Sequence, residues 1–169
     1  KQMLAEIVSG KLLRARAVFG LFPANRVAAE DIAIFSDESR AEPLTVIHSL
    51  RQQQPKPSGQ PNYALADFVA PADAAIQDYM GAFAVTTGIG LDALVTAYEA
   101  EHDDYNSIMA KALADRLAEA FAERLHELVR TKYWGYANDE TLARDDLIAE
   151  KYDGIRPAPG YPACPDHTE

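Results

Sequence analysis

Tyr79-Met80-Gly81-Ala82-Phe83-Ala84-Val85-Thr86-Thr87-Gly88-Ile89-Gly90-Leu91-Asp92-Ala93-Leu94-Val95-Thr96-Ala97-Tyr98 is where the pattern of this 169-residue chain changes. Up to Thr87 the residues are small, aromatic or β-branched and lie between Gly81 and Gly88, the composition of a buried strand. From Leu91 the apolar positions become Leu91, Leu94, Val95 and Tyr98, one stripe of a helix. Gly88-Ile89-Gly90 is too short for a dinucleotide-binding fingerprint, and it reads as the strand-to-helix turn.

Downstream the helical period persists. After Asp103-Asp104 a second stripe runs through Ile108, Met109, Ala112, Leu113, Leu117, Ala120, Phe121, Leu125, Leu128 and Val129, with alanines that allow close backbone packing on a sheet. Gly135 is expected to halt this helix just after Tyr133-Trp134, and a shorter helix from Thr141 to Glu150 follows, capped by Asp139 or Thr141. Upstream the period is that of strands. A first helix over residues 1–14 gives way to a strand from Ala15 to Phe22, broken by Pro23-Ala24-Asn25, and to a second from Asp31 to Ser36, paired antiparallel with the first. Leu44 to Gln54 fits either strand or helix; Val46, Ile47 and Leu50 sit at helical spacing, which favours a short helix, ended by the turn Pro55 to Pro61. With Tyr63–Val69 and Tyr79–Thr87, three or four strands precede the long helices. The fold class expected is α+β, an antiparallel sheet packed against long α-helices.

With 48% hydrophobic and 25% charged residues, the chain suits one compact domain, residues 1–169. A net charge of −10 repels phosphate backbones and anionic membrane surfaces, so neither nucleic acid nor membrane is expected as a partner. The single cysteine, Cys164, excludes an internal disulfide, and without a leader or a long apolar run the chain is expected to be cytoplasmic. His48, His102, His126 and His167 show no zinc-binding spacing. Cys164 and His167 stand three apart but lack a second pair, and read as a packed cysteine beside a surface histidine.

Two other groups carry candidate chemistry. Tyr133, Trp134 and Tyr136 could form a stacking platform, although core packing at a helix end is favoured. The second group is the proline-framed segment Gly154 to Glu169. Its prolines exclude helix interior and central strand, leaving an ordered extended loop. Within it Arg156 offers a planar cationic fork for a carboxylate or phosphate, Gly160 permits close approach of backbone, and Tyr161 adds a flat face with a polar tip. The residues alone fit a binding edge and a fold-bracing loop equally.

Arg156-Pro157-Ala158-Pro159-Gly160-Tyr161-Pro162-Ala163-Cys164-Pro165 resembles the S-adenosylmethionine-binding motif in the activation domain of cobalamin-dependent methionine synthase. Further blocks resemble the same family in the same order: Gly20–Asn25, Leu50–Gln53, Leu65–Pro71, Gly81–Thr86 and the run from His102 to Tyr136. The resemblance covers nearly the whole chain. The family domain extends beyond both ends, so the chain is expected to be a partial activation domain.

The resemblance implies a reactivation module of a methyltransferase, in which S-adenosylmethionine supplies a methyl group for reductive methylation of cob(II)alamin. This supports methyl transfer from methyltetrahydrofolate to homocysteine. Cobalamin and zinc are expected in other domains of the parent. The partners implied are its cobalamin-binding domain and flavodoxin or a related flavoprotein reductant. Arg156 is expected to hold the ligand carboxylate, Ala158 and Gly160 to offer main-chain groups to adenine and ribose, and Tyr161 to close one side. Glu119 and Glu150 are the acids expected to complement the ammonium or sulfonium charge. Glu119 also lies one turn from Asp115 on the same helix face, where neighbouring arginines offer ordinary surface pairing. Positioning and electrostatic fit are the expected contribution, with no catalytic side chain. The alternative is a docking domain of the same fold that meets a cobalamin domain or flavoprotein without S-adenosylmethionine.

Overall fold

The computed structural model describes residues 1–165. In chain order the elements are α1 (Gln2–Gly10), β1 (Arg14–Arg26), β2 (Asp31–Phe35), β3 (Pro43–His48), β4 (Asp78–Ile89), α2 (Leu91–Ala100), α3 (Asp104–Leu128) and α4 (Arg144–Ile148). Short 3-10 turns occupy Leu65–Phe68 and Ala72–Ala74, and a π-turn covers Val129–Tyr133. The strands form one sheet in the order β3-β2-β1-β4. This is the α+β architecture expected, with the switch of period at Gly88–Leu91.

The chain divides into two compact units. One comprises Lys1–Phe19 and Phe83–Arg144, and the other Gly20–Ala82 with the described residues from Asp145 onward. In the first unit, Gly90 makes the strand-to-helix turn at φ 104, and a Cβ there would stand 2.5 Å from the Leu12 carbonyl oxygen. Only glycine fits that approach. Asp103 caps α3 by accepting the Asn106 amide at 3.0 Å. Ala110 and Ala114 are buried along α3, and the Thr87 hydroxyl donates to the Ala114 carbonyl at 2.6 Å, so the alanines do bring helix backbone close to β4. The π-turn then widens the helix end. Trp134 and Gly135 both donate to the Val129 carbonyl, and Gly135 exits at φ 78.

In the second unit, Ala24 lies opposite Ile34 and Ile32 opposite Ile47 across β1, β2 and β3. Ala24, Ile32 and Ile34 bury one face against Ala66 and Val69 of the 65–69 segment, with Ile47, Leu65 and Met80 packed alongside.

Several boundaries differ from the sequence reading. Leu44–Gln54 is no helix: β3 runs from Pro43 to His48. Thr45, Val46 and Ile47 are β-branched, and pairing with β2 outweighs the apparent helical spacing. Pro23 does not end β1, because the register with β2 begins after it, at Ala24. The 63–69 segment contains a 3-10 turn held by the Asp67 carboxylate, which accepts the Ala64 amide at 2.9 Å. The last helix shortens to Arg144–Ile148. In β4, Gly81 to Ala84 are exposed rather than buried, as are Val18 and its neighbours in β1. Met80 is half-buried beside the core before this stretch, and Thr87 is buried after it, where its hydroxyl meets α3.

Candidate functional site

The proline frame folds into two successive tight turns. Tyr161 N–H donates to the Ala158 carbonyl at 3.0 Å across Ala158-Pro159-Gly160-Tyr161, with Pro159 at the second position and Gly160 at the third, φ 93. Proline pre-sets the first corner and glycine alone accepts the positive φ of the second, the chemistry of a type II turn. The Cys164 amide then donates to the Tyr161 carbonyl at 2.9 Å, and Gly160 N–H returns to the Cys164 carbonyl at 2.8 Å. These bonds fix Ala158, Gly160 and Tyr161 on one short, stiff segment, two residues beyond Arg156. The Ala158 amide and the Gly160 carbonyl take no part in them. Arg156 is half-buried, whereas Tyr161 is 60% exposed.

Glu150 stands in the same unit, exposed and left-handed at φ 53, where its amide closes α4 on the Leu147 carbonyl at 3.1 Å. Glu119 belongs to the other unit. It is exposed on α3 and pairs with Arg116 at 3.3 Å, the surface pairing that the helix spacing suggested. Cys164 is half-buried within the turn, and His167 lies outside the described residues.

Three arginines that sequence reasoning left without a role prove to be structural. Arg51 places all five of its N–H donors: Nε on Glu30 at 3.0 Å, Nη1 on Asp67 at 2.6 Å and the Asn62 carbonyl at 2.7 Å, and Nη2 on Asp67 at 3.0 Å and the Ala29 carbonyl at 3.3 Å. The Arg51 hydrogen bonds, together with the Ala64 amide, hold the Asp67 carboxyl below its ordinary range. Arg40 joins the Asn25 side chain at 2.6 Å to the Asp78 carbonyl at 2.9 Å, while Asn25 donates to the carbonyls of Ala70 and Ile76. The blocks Gly20–Asn25, Leu50–Gln53 and Leu65–Pro71 are thereby tied into one unit.

In the other unit, Arg130 is fully buried and grips Glu140 by two bonds of 2.9 and 2.7 Å. Those bonds lower the Glu140 pKa against the opposing effect of burial. Tyr133, Trp134 and Tyr136 are 48%, 37% and 45% exposed, so they do not pack as a core. Trp134 and Tyr136 meet edge to face at 5.3 Å, and Tyr133 lies 4.8 Å from Phe19. Tyr133 is the last residue of the π-turn and Trp134 its C-cap.

The fold and this loop define an α+β domain built around rigid main-chain presentation. Comparison with known proteins makes the class specific. A family model described as "Vitamin B12 dependent methionine synthase, activation domain" matches residues 1–169, and the chain belongs to that family. A crystal structure of the MetH reactivation domain bound to AdoHcy superposes with a TM-score of 0.89 at 60% sequence identity. The match covers 99% of this chain and 51% of that one, so the chain spans about half the length of this relative.

Proposed function

We propose that the chain binds S-adenosylmethionine and presents its methyl group for reductive methylation of cob(II)alamin carried by a separate domain. It would thereby sustain methyl transfer from methyltetrahydrofolate to homocysteine in a parent methionine synthase. The observation that carries this reading is the proline loop, whose two turns fix Ala158, Gly160 and Tyr161 just beyond Arg156, in a 60% identical relative of a protein that holds AdoHcy, the demethylated form of the donor. Arg156 takes the amino-acid carboxylate in its fork, the Ala158 amide and Gly160 carbonyl meet the polar edges of the nucleoside, and Tyr161 covers one face. Glu150 contributes negative charge near a cationic ligand. Glu119 is a separate assignment, which a Glu119→Gln titration tests on its own.

The chemistry asked of these residues is modest. A sulfonium already carries a good leaving group, so what the domain supplies is orientation and a favourable field, with no proton to move. The cobalamin domain of the parent and a flavoprotein reductant are the partners in this reading. The single family match along residues 1–169 supports treating both units as one functional module.

Isothermal titration of the protein and of Arg156→Ala with S-adenosylmethionine tests the assignment. Loss of a charge-assisted bidentate contact is expected to weaken binding by roughly 2–3 kcal/mol, about 30- to 150-fold in Kd. Equal affinities would remove Arg156 from the site.

A further inference from the structure

The second unit holds a cleft of about 700 Å³ at the end of β1, lined by residues 26–29, Arg51 and residues 71–73. None of the proline-loop residues lines it. Two arginines reach it, in opposite states. Arg51 has all five donors committed and is a brace. Arg26 makes no side-chain hydrogen bond among the described residues, and its nearest ionic neighbour is Asp67 Oδ1 at 3.7 Å. That carboxylate is already occupied by Arg51 and the Ala64 amide.

The Arg26 backbone is nevertheless fixed. It pairs with Ile32, its amide donates to the Ala70 carbonyl at 3.0 Å, and it bridges to Pro71. Its side chain is only 32% exposed. A guanidinium held on rigid backbone, partly desolvated and with its fork unspent, is a preorganised carboxylate receptor. The rest of the lining adds one exposed acid, Asp73, and an apolar wall of Val27, Ala28, Pro71 and Ala72. A plain anion would be repelled by Asp73, and a plain cation by Arg26.

From this juxtaposition we infer that the cleft is a second ligand site, for a zwitterion of the α-amino-acid type. Its carboxylate sits on Arg26, its ammonium on Asp73 and its apolar side chain along the alanine and proline wall.

The test is an NMR titration of the protein with leucine, with acetate and inorganic phosphate as single-charge controls, in an Arg156→Ala background that silences the proposed nucleoside loop. Leucine is expected to shift the amides of residues 27–29 and 71–73. Arg26→Gln and Asp73→Asn are each expected to weaken it by about tenfold or more. Ala28→Trp, an exposed substitution that fills the cleft while leaving both charges, should abolish the shifts. The inference is overturned if leucine moves none of these amides, if Arg26→Gln leaves the affinity unchanged, or if acetate or phosphate binds as well as leucine. Because Arg156 is absent throughout, none of these results bears on the S-adenosylmethionine assignment.

Discussion

Arg130 and Glu140 show how much one buried pair governs at the residue scale. Arg130 is fully buried and Glu140 nearly so, and removing one partner leaves a charge in low dielectric, at a cost of roughly 3 kcal/mol or more. Glu140→Gln is therefore expected to lower the melting temperature at neutral pH by about 6–12 °C. The pH dependence has a definite sign. Since the Arg130 hydrogen bonds set the folded pKa of Glu140 below its unfolded value near 4.5, the stabilisation is complete above that value. It is lost as pH falls through the folded pKa. Melting curves between pH 2 and 7 should therefore show a shallower acid limb for Glu140→Gln, and an unchanged limb would contradict the pairing. Asp67, depressed mainly by its Arg51 hydrogen bonds, is expected to account for part of the remaining slope. None of this pairing was legible in the sequence. Arg130 follows Val129 on an ordinary helical repeat, and its partner lies beyond a glycine turn that only the fold closes. The turn at Pro159-Gly160, by contrast, was legible, because the prolines and the Gly-Tyr pair restrict the backbone locally.

Elements were legible where local chemistry decides them and obscure where a neighbour does. The existence of α3 and the turn at Gly90 follow from local sequence, but the buried face of α3 runs through Ser107, Ala110, Ala114 and Leu125, whereas Ile108, Ala112 and Ala120 of the expected stripe are exposed. Strand β3 does not follow from local sequence, because the helical spacing of Val46, Ile47 and Leu50 competes with a ladder that needs β2 beside it. The exposed middle of β4 was missed for the same reason, since apolar composition does not say which face is covered. Gly90 offers the sharpest test at this scale. Gly90→Ala forces an L-residue to φ 104 and drives a Cβ to 2.5 Å from rigid backbone, so a loss of roughly 3 kcal/mol is expected. Gly59→Ala shares the positive φ, at 88, but meets no atom within 4 Å, and should cost only about 1 kcal/mol. Urea denaturation of the two variants separates strain from clash. Equal losses would mean that the approach to the Leu12 carbonyl carries no weight.

At the scale of the whole molecule, a net charge of −10 favours the cationic sulfonium ligand proposed above. Arg156, Ala158, Gly160, Tyr161 and Glu150 all belong to the unit that contains the β1–β3 core. Binding there stabilises the folded state by mass action, about 2.7 kcal/mol at a ligand concentration one hundred times Kd. For a chain of this size that corresponds to a rise in melting temperature of roughly 5–11 °C. Differential scanning calorimetry should show the rise with S-adenosylmethionine. In Arg156→Ala, at the same ligand concentration, the stabilisation should shrink to under about 1 kcal/mol, because the weakened Kd then approaches the ligand concentration. If the two units unfold in separate transitions, only the one containing residues 20–82 is expected to move with ligand, whereas Glu140→Gln should shift the other. A ligand-induced shift confined to the Arg130–Glu140 unit would place the nucleoside elsewhere than on the proline loop.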